Sequence, residues 1–264
     1  MKRIKPVMKI VVFSLLLLLL FYGLSYLAKP YNSYNLQHIA GLYSQKEDVL
    51  DVVYIGGSAA FVYYAPLQAW ENYGIVAYDY ATDTVQAELY VTMIKEVLKT
   101  QSPKLIILDA RAFQYRDKEN ANAQPPGEVP YRNALTGMRL SRNKIAFINQ
   151  YVGTQIEGEK ITYYFDLIKY HKNIATCSTA NIDLMRGTYR DPYNGFYFNP
   201  RIKPIIKYGF MTSEKRPVSD ETERVLIDLL DYLDSTEAEY LFVVSPYAEK
   251  KEHRATFNYV REII

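Results

Sequence analysis

The stretch Val52-Val53-Tyr54-Ile55-Gly56-Gly57-Ser58 joins a short apolar run to a Gly-Gly-Ser turn. Four apolar residues followed by glycine predict a buried β-strand over residues 52–55. The turn then places a serine hydroxyl at the carboxyl end of that strand, where open α/β sheets bind their ligands. A serine nucleophile needs a tight turn there, and we expect the two glycines to supply its conformational freedom. An ordinary strand-to-loop turn is the alternative, because a lone Gly-Gly-Ser sequence is weak evidence for catalysis.

Strand-like and helix-like patterns alternate from residue 51 to residue 109. Leu89, Met93 and Val97 recur at helical spacing and predict a long amphipathic helix that ends before Pro103. The predicted elements are strands over residues 52–55, 75–78 and 105–108 and helices over residues 66–73 and 84–100. Three short apolar strands separated by helices predict an α/β domain with a doubly wound parallel sheet.

Residues 112–211 interrupt this alternation, because they are rich in Tyr, Asn, Pro and Arg. We expect them to form a large, mostly helical or irregular insertion after strand three, as a lid or a substrate-recognition subdomain. Within it the sequence predicts a loop over residues 124–127 and helices over residues 143–151 and 163–172.

The sheet pattern resumes after the insertion and completes an α/β domain over residues 51–264. Asp220 and Glu223 form a capping-box-like pair, which predicts a helix over residues 220–234. A strand over residues 240–244 and a helix from residue 253 onward are predicted to follow. We expect a fragment that stops inside this last helix.

The first 29 residues form a separate segment. Four basic residues precede a run of about eighteen mostly apolar residues (10–27), close to the minimum that spans the hydrocarbon core of a membrane. The positive flank predicts a cytoplasmic amino terminus and an extracytoplasmic domain on a single-pass anchor. A signal peptide cleaved near Gly23-Leu24-Ser25 is the competing interpretation. We favour the uncleaved anchor, because the apolar run continues beyond that position.

Residues 30–50 are predicted to form a juxtamembrane segment. Tyr31, Tyr34 and Tyr43 lie in it, and tyrosines are frequent at membrane interfaces. The segment is predicted to be a linker or a capping segment in which these three rings are able to lie at the membrane interface.

Charge and cysteine content exclude several classes of protein. Residues 1–29 contain five Lys or Arg and no Asp or Glu, which leaves 26 basic and 29 acidic residues in the rest of the chain. A slightly acidic domain does not favour binding to nucleic acid. Cys177 is the only cysteine, so an internal disulfide and a cysteine-rich zinc site are both excluded. The spacing of His, Asp and Glu indicates no metal site, and we expect no cofactor.

The order of elements from residue 51 to residue 113 resembles the exported branch of the SGNH/GDSL hydrolase superfamily. This branch includes membrane-anchored acyltransferases and esterases of bacterial cell-envelope polymers, similar to the teichoic acid D-alanyl-transfer and alginate acetylation proteins. The match covers about sixty residues well. The remainder matches only by general layout, including Ser141-Arg142-Asn143-Lys144 and Tyr193-Asn194-Gly195-Phe196.

The resemblance implies roles for a small set of residues. Ser58 would be the nucleophile, and its own backbone N–H, beside Gly57, would belong to the oxyanion hole. The blocks after strands two and three usually supply a glycine or asparagine and an asparagine, but the matching positions here hold Asp79 and Asp109-Ala110-Arg111. A carboxylate at position 79 would repel an oxyanion unless it is protonated or turned away. Arg111 would hold an oxyanion or an anionic substrate, or form a salt bridge with Asp109 or with the insertion.

The largest departure from the superfamily is the catalytic Asp-x-x-His, which is absent from this sequence. We expect His38 to be solvated, His253 to lie on a helix surface and His171 to have a structural role. The missing block predicts either a truncated chain that is inactive by itself or a degenerate, non-catalytic member. The complete form would transfer or hydrolyse an acyl group, acetyl first, and its partners would be the membrane and a cell-surface glycan or acyl-donor protein. The alternative is a non-catalytic surface binding or assembly protein with the same fold.

Overall fold

A four-stranded, all-parallel sheet forms the centre of the domain. The computed structural model describes residues 4–116, 128–152, 160–199, 212–245 and 251–264. The sheet order is β2-β1-β3-β4. The strands, in chain order, are β1 (Val52–Gly56), β2 (Ala77–Ala81), β3 (Leu105–Asp109) and β4 (Glu239–Val243). The protein is therefore an α/β protein, as its sequence predicts.

Helices precede, separate and follow the four strands along the described parts of the chain. In chain order they are α1 (Ile4–Ala28), α2 (Tyr34–Gly41), α3 (Ser58–Tyr63), α4 (Pro66–Tyr73), α5 (Tyr90–Val97), α6 (Ala112–Arg116), α7 (Glu128–Leu135), α8 (Arg142–Phe147), α9 (Lys160–Tyr164), α10 (Asp166–Tyr170), α11 (Thr179–Arg186), α12 (Asp220–Asp234) and α13 (Lys251–Ile263). The 3₁₀ segments are Leu42–Ser44, Ala87–Leu89 and His171–Thr176, and a π-helical segment, Ile148–Val152, extends α8.

The two faces of the sheet differ in chemistry. Parallel register aligns Val53 with Tyr78 and Ile106, and side chains on this first face belong to the main hydrophobic core. Residues that alternate with them form the second face, where Tyr54 pairs with Asp79 in register. A smaller cluster around Tyr54 includes residues of α3. The second face therefore carries the polar side chains near the end of β1.

Much of the predicted secondary structure is confirmed. The first and third strands are found within one residue of their predicted ends, and the helices predicted over residues 66–73 and 220–234 have those bounds. The second strand is displaced, because it begins at Ala77 and continues through Asp79 to Ala81. The helix predicted over residues 84–100 is shorter, with a 3₁₀ turn before α5.

The region predicted as an insertion contains the short helices α6 to α11 in its described parts. The helix predicted over residues 163–172 is wrong in its continuity, because Phe165 has extended backbone angles that separate α9 from α10. The loop predicted over residues 124–127 lies outside the described residues. The cap of α12 is also different, since Ser219 and not Asp220 accepts the hydrogen bond from a backbone N–H of the first turn.

Residues 30–50 belong to the domain more than to a membrane-surface linker. Helix α2 packs against β2 and α7. The Tyr34 hydroxyl hydrogen bonds to the Asp83 carboxylate, and the Tyr43 hydroxyl donates to Glu96 at 2.8 Å. The hydroxyl groups of both tyrosines therefore contact other parts of the domain.

Helix α1 is long and apolar enough to cross a membrane. Its candidate span, Pro6–Ala28, has a mean hydropathy of 2.5, and the most apolar window is fully exposed. An exposed apolar helix of this length differs from the buried core helix of a soluble protein. This agrees with a single-pass anchor.

Candidate functional site

Ser58 lies at the carboxyl edge of the sheet, as its sequence position predicts. It is the first residue of α3, its side chain is exposed, and Gly57 separates it from the end of β1. The first backbone N–H groups of a helix have no partner within that helix. None of the hydrogen bonds between described residues involves the Ser58 hydroxyl, so that group is available to solvent.

Gly56 is needed for steric reasons, and neither glycine of the pair supplies the conformational freedom that the sequence predicts. Gly57 has φ −81° and ψ −165°, which other residues adopt readily, and neither glycine has positive φ. A Cβ on Gly56 would lie 2.8 Å from the Asp109 Cβ and 3.0 Å from the Ala60 Cβ. Gly56 therefore lets the end of β3 and the start of α3 approach the end of β1.

Asp79 lies inside β2 and not in the loop after it, so its predicted position is corrected. Its side chain is completely buried on the second face of the sheet. Neither carboxylate oxygen has a hydrogen-bond partner among the described residues. Burial, and secondarily the charge of Asp191, raise the pKa of the Asp79 carboxyl well above its usual value.

The backbone around Asp79 is held by a distant segment of the chain. The Asp79 N–H donates to the Asn194 carbonyl at 2.9 Å, and the Asn194 side chain donates to the Ala77 carbonyl at 3.2 Å. Gly195 has φ +87°, and a Cβ there would lie within 2.0 Å of the Asp79 carbonyl oxygen. The Tyr193-Asn194-Gly195-Phe196 stretch therefore covers the free edge of β2.

Asp109 and Arg111 lie at the carboxyl end of β3, as predicted. Both are buried, and the Asp109 Oδ1 accepts a hydrogen bond from the Arg111 backbone N–H at 3.0 Å. The Tyr90 hydroxyl donates to the Asp109 carbonyl at 2.6 Å. Because Gly56 contacts Asp109, this carboxylate lies directly beside the turn that carries Ser58.

Two residues of this region are not identified by sequence reasoning. The Tyr54 hydroxyl lies 2.8 Å from the Ser245 Oγ, and both side chains are buried. Burial raises the pKa of the Tyr54 hydroxyl, and the charge of Asp109 raises it further. Alternation along β1 could have placed Tyr54 on the same face as Gly56, but its partner follows β4, far along the chain.

A cavity of about 570 Å³ lies between β4 and α13. Ala110, Val244 and Ser245 line it where β3 and β4 end, and α13 contributes Phe257 and Arg254. Ser58 does not line this cavity. The cavity therefore meets the carboxyl edge through Ser245, on the side of the sheet away from β2.

The three histidines differ from their predicted environments in two cases. His38 is buried, and its ring centroid lies 4.9 Å from that of Phe61 in α3. Burial lowers its pKa, and the charges of Asp191 and Asp83 oppose this effect. His253 is also buried, whereas His171 is exposed and contacts the Ile168 carbonyl. None of the three hydrogen bonds to Ser58.

The described residues contain no group of three or more His, Cys, Asp or Glu that could hold a metal ion. A scan of protein-family models, a search of the curated proteins and a search of the solved structures each found no match to this chain. The geometry of the carboxyl edge, and the resemblance of its residues to the SGNH/GDSL superfamily, are therefore the basis for proposing a function.

Proposed function

We propose that this protein is a membrane-anchored, extracytoplasmic SGNH-hydrolase-like protein in which Ser58 is the nucleophile. The proposed activity is the transfer of an acyl group, acetyl in the first instance, to or from a cell-surface glycan. The observation that carries the proposal is the exposed Ser58 at the start of α3, directly after β1. In the order β2-β1-β3-β4 the chain crosses from one side of β1 to the other, and open α/β sheets bind ligands where the strand order reverses in this way.

The proposed reaction has two steps. The Ser58 Oγ attacks the carbonyl carbon of the acyl donor, and the donor's alcohol leaves with a proton as the acyl-serine forms. A sugar hydroxyl or water then attacks the acyl-serine, which restores the serine. Backbone N–H groups at the start of α3 would stabilise the oxyanion of each tetrahedral intermediate.

The other proposed site residues flank this position. Arg111 would bind an anionic part of the substrate at the end of β3. Asp79 and Asp109 would not contact the oxyanion, because an ionised carboxylate repels a developing negative charge. We propose that they position the ends of β2 and β3 around the Gly56 turn.

The serine proton needs an acceptor, and the resemblance implies a histidine from an Asp-x-x-His block. A serine without such a histidine is a weak nucleophile at neutral pH, and its loss lowers the rate by several orders of magnitude. We therefore expect residues 1–264 alone to react slowly with acyl donors.

The test compares wild type, Ser58→Ala and the matched control Ser102→Ala in membranes that carry the full product of the gene. Ser102 is an exposed serine that precedes β3, at the opposite edge of the sheet. Hydrolysis of p-nitrophenyl acetate and labelling by a fluorophosphonate should fall at least ~10³-fold in Ser58→Ala and remain in the control.

Two results would change the proposal. Activity and labelling that survive Ser58→Ala would show that Ser58 is not the nucleophile, and a wild type without either would favour non-catalytic binding or assembly at the cell surface. Rapid, Ser58-dependent turnover by residues 1–264 alone would place the base within this sequence, with His171 and the buried His38 as the candidates.

A further inference from the structure

The last two turns of α1 are enclosed by residues 160–186, which we call the collar. It consists of α9, α10, the 3₁₀ segment His171–Thr176 and α11, and the last three of these contact α1. At the inner end of the enclosed part, the Phe21 and Phe165 rings pack edge to face at 5.8 Å. One turn further on, the Leu167 N–H donates to the Ser25 Oγ at 3.4 Å.

Polar contacts fix the collar to the carboxyl-terminal end of α1. The Asn181 side chain donates to the Tyr26 and Lys29 carbonyls, each at 3.0 Å. The Tyr26 carbonyl is one of the last four of α1, which have no partner within the helix, and Lys29 directly follows the helix. The buried Lys29 ammonium lies 3.4 Å from the Asp166 carboxylate and donates to the Thr136 carbonyl at 2.5 Å. The collar is therefore attached at a defined height along α1.

The length of α1 determines how deep in a bilayer the collar is attached. Lys9 and Lys29 are the charged residues that bound its uncharged part, which rises about 28 Å at ~1.5 Å per residue. The hydrocarbon core is about 30 Å thick, so all of this part is needed to cross it. Phe21 lies about 12 Å along the axis from Lys29. Because Phe165 contacts Phe21, the collar must reach below the headgroup level.

The exposed surface of the collar has the composition of an interfacial membrane contact. Ile161 is 54% exposed and Ile168 is 41% exposed. Lys172 and Arg186 of the collar are also exposed, whereas the Asp166 carboxylate is buried in its pair with Lys29. Apolar side chains flanked by basic ones favour the boundary between acyl chains and anionic headgroups.

We propose that the collar lies in the lipid–water interface of the membrane that α1 spans and forms a second contact between the domain and the bilayer. The occupant of this surface is phospholipid, with acyl chains against Phe165 and Ile168 and anionic headgroups near Lys172 and Arg186. This inference is independent of the chemistry proposed for Ser58.

A fluorescence depth measurement on the full chain in lipid nanodiscs tests the proposal. Cys177 is the only cysteine, so Cys177→Ser gives a background for single labelling positions. An NBD fluorophore is attached at Ile168→Cys on the collar, and as the matched control at Ser235→Cys, an exposed position after α12. Circular dichroism melting selects variants that fold like the wild type.

We expect NBD at position 168 to be quenched by nitroxide-labelled phospholipid at least twofold more strongly than NBD at position 235. Replacing zwitterionic lipid by anionic lipid should increase the quenching, and Lys172→Glu with Arg186→Glu should remove that increase. Equal quenching at positions 168 and 235 would overturn the proposal. Strong quenching that is insensitive to lipid charge would retain the apolar contact and exclude the headgroup contact.

Discussion

Asp79 carries an ionisable carboxyl group into the interior of the sheet without a hydrogen-bond partner among the described residues. Its pKa is raised in the folded protein, so between its unfolded value of about 3.8 and its folded value the unfolded chain ionises first. Stability contributed by this residue is thus present below pH ~3.8 and is lost as the pH rises toward the folded pKa. Buried groups of this kind are often kept for function.

We expect Asp79→Asn to raise the free energy of unfolding at pH 7 by about 1–3 kcal/mol, because asparagine does not ionise. The difference between variant and wild type should shrink as the pH falls toward 4. Chemical denaturation of the full chain in detergent at both pH values measures it, with the exposed Asp228→Asn as control. A less stable variant at pH 7 would mean that the ionised carboxylate has a partner.

Sequence reasoning at this scale predicts the position of Ser58 at the end of β1 but not the environment of its neighbours. The apolar residues 75–78 are predicted to be the whole of the second strand, because a charged side chain such as Asp79 is usually found after the end of a buried strand. The burial of Asp79 depends on Asn194 and Gly195, which are more than a hundred residues away in the chain. His38 is misjudged for the same reason, because α2 is buried by tertiary contacts that no local pattern encodes.

At the scale of the elements, one buried carboxylate on α5 connects two other segments of the chain through hydrogen bonds. Glu96 accepts hydrogen bonds from Ser141 at 2.7 Å, Asn143 at 2.8 Å and Tyr43 at 2.8 Å, and it pairs with Lys99. Burial alone raises the pKa of Glu96, but these hydrogen bonds outweigh it and hold the pKa below its usual value. The Ser141-Arg142-Asn143-Lys144 stretch is thereby joined to α5.

We expect Glu96→Gln to lower the free energy of unfolding at pH 7 by about 1–3 kcal/mol, because an amide cannot accept all of these bonds. The carboxylate's contribution is present above the unfolded pKa of about 4.5 and is lost as the pH falls through the lower, folded pKa. The loss in the variant should therefore decrease below pH ~4.5. Urea titration measures it against the exposed Glu47→Gln, and an equal effect of both substitutions would argue against the network.

Elements with strong local signals are the ones that the sequence predicts well. Helix α4 begins with Pro66 and is followed directly by Gly74, which has φ +70°. Proline is frequent at the first position of a helix and glycine directly after its last. The helix predicted over residues 163–172 carries no such signal at Phe165, where the structure divides it. Its pieces are arranged by their contacts with α1, which lies far away in sequence.

At the scale of the whole molecule, the distribution of charge around α1 predicts the side of the membrane on which the domain lies. Basic residues are concentrated before the apolar run, which favours a cytoplasmic amino terminus. Alkaline phosphatase fused after residue 60 should therefore be active, and a reporter that works only in the cytoplasm should be silent at the same junction. The reverse pattern would contradict the proposed localisation and, with it, the glycan substrate.

The contacts of Asn181 with the Tyr26 and Lys29 carbonyls, and of Asp166 with the Lys29 ammonium, would also limit where the proposed reaction takes place. An enzyme on a flexible stalk reaches a wide range of heights above the bilayer and can act on its polymer at any of them. A domain that is held against its own spanning helix would diffuse laterally and rotate in the plane of the membrane. Its height above the bilayer would stay constant. Ser58 would then work on a single thin layer of the envelope, and a substrate rooted elsewhere would have to be carried to that layer.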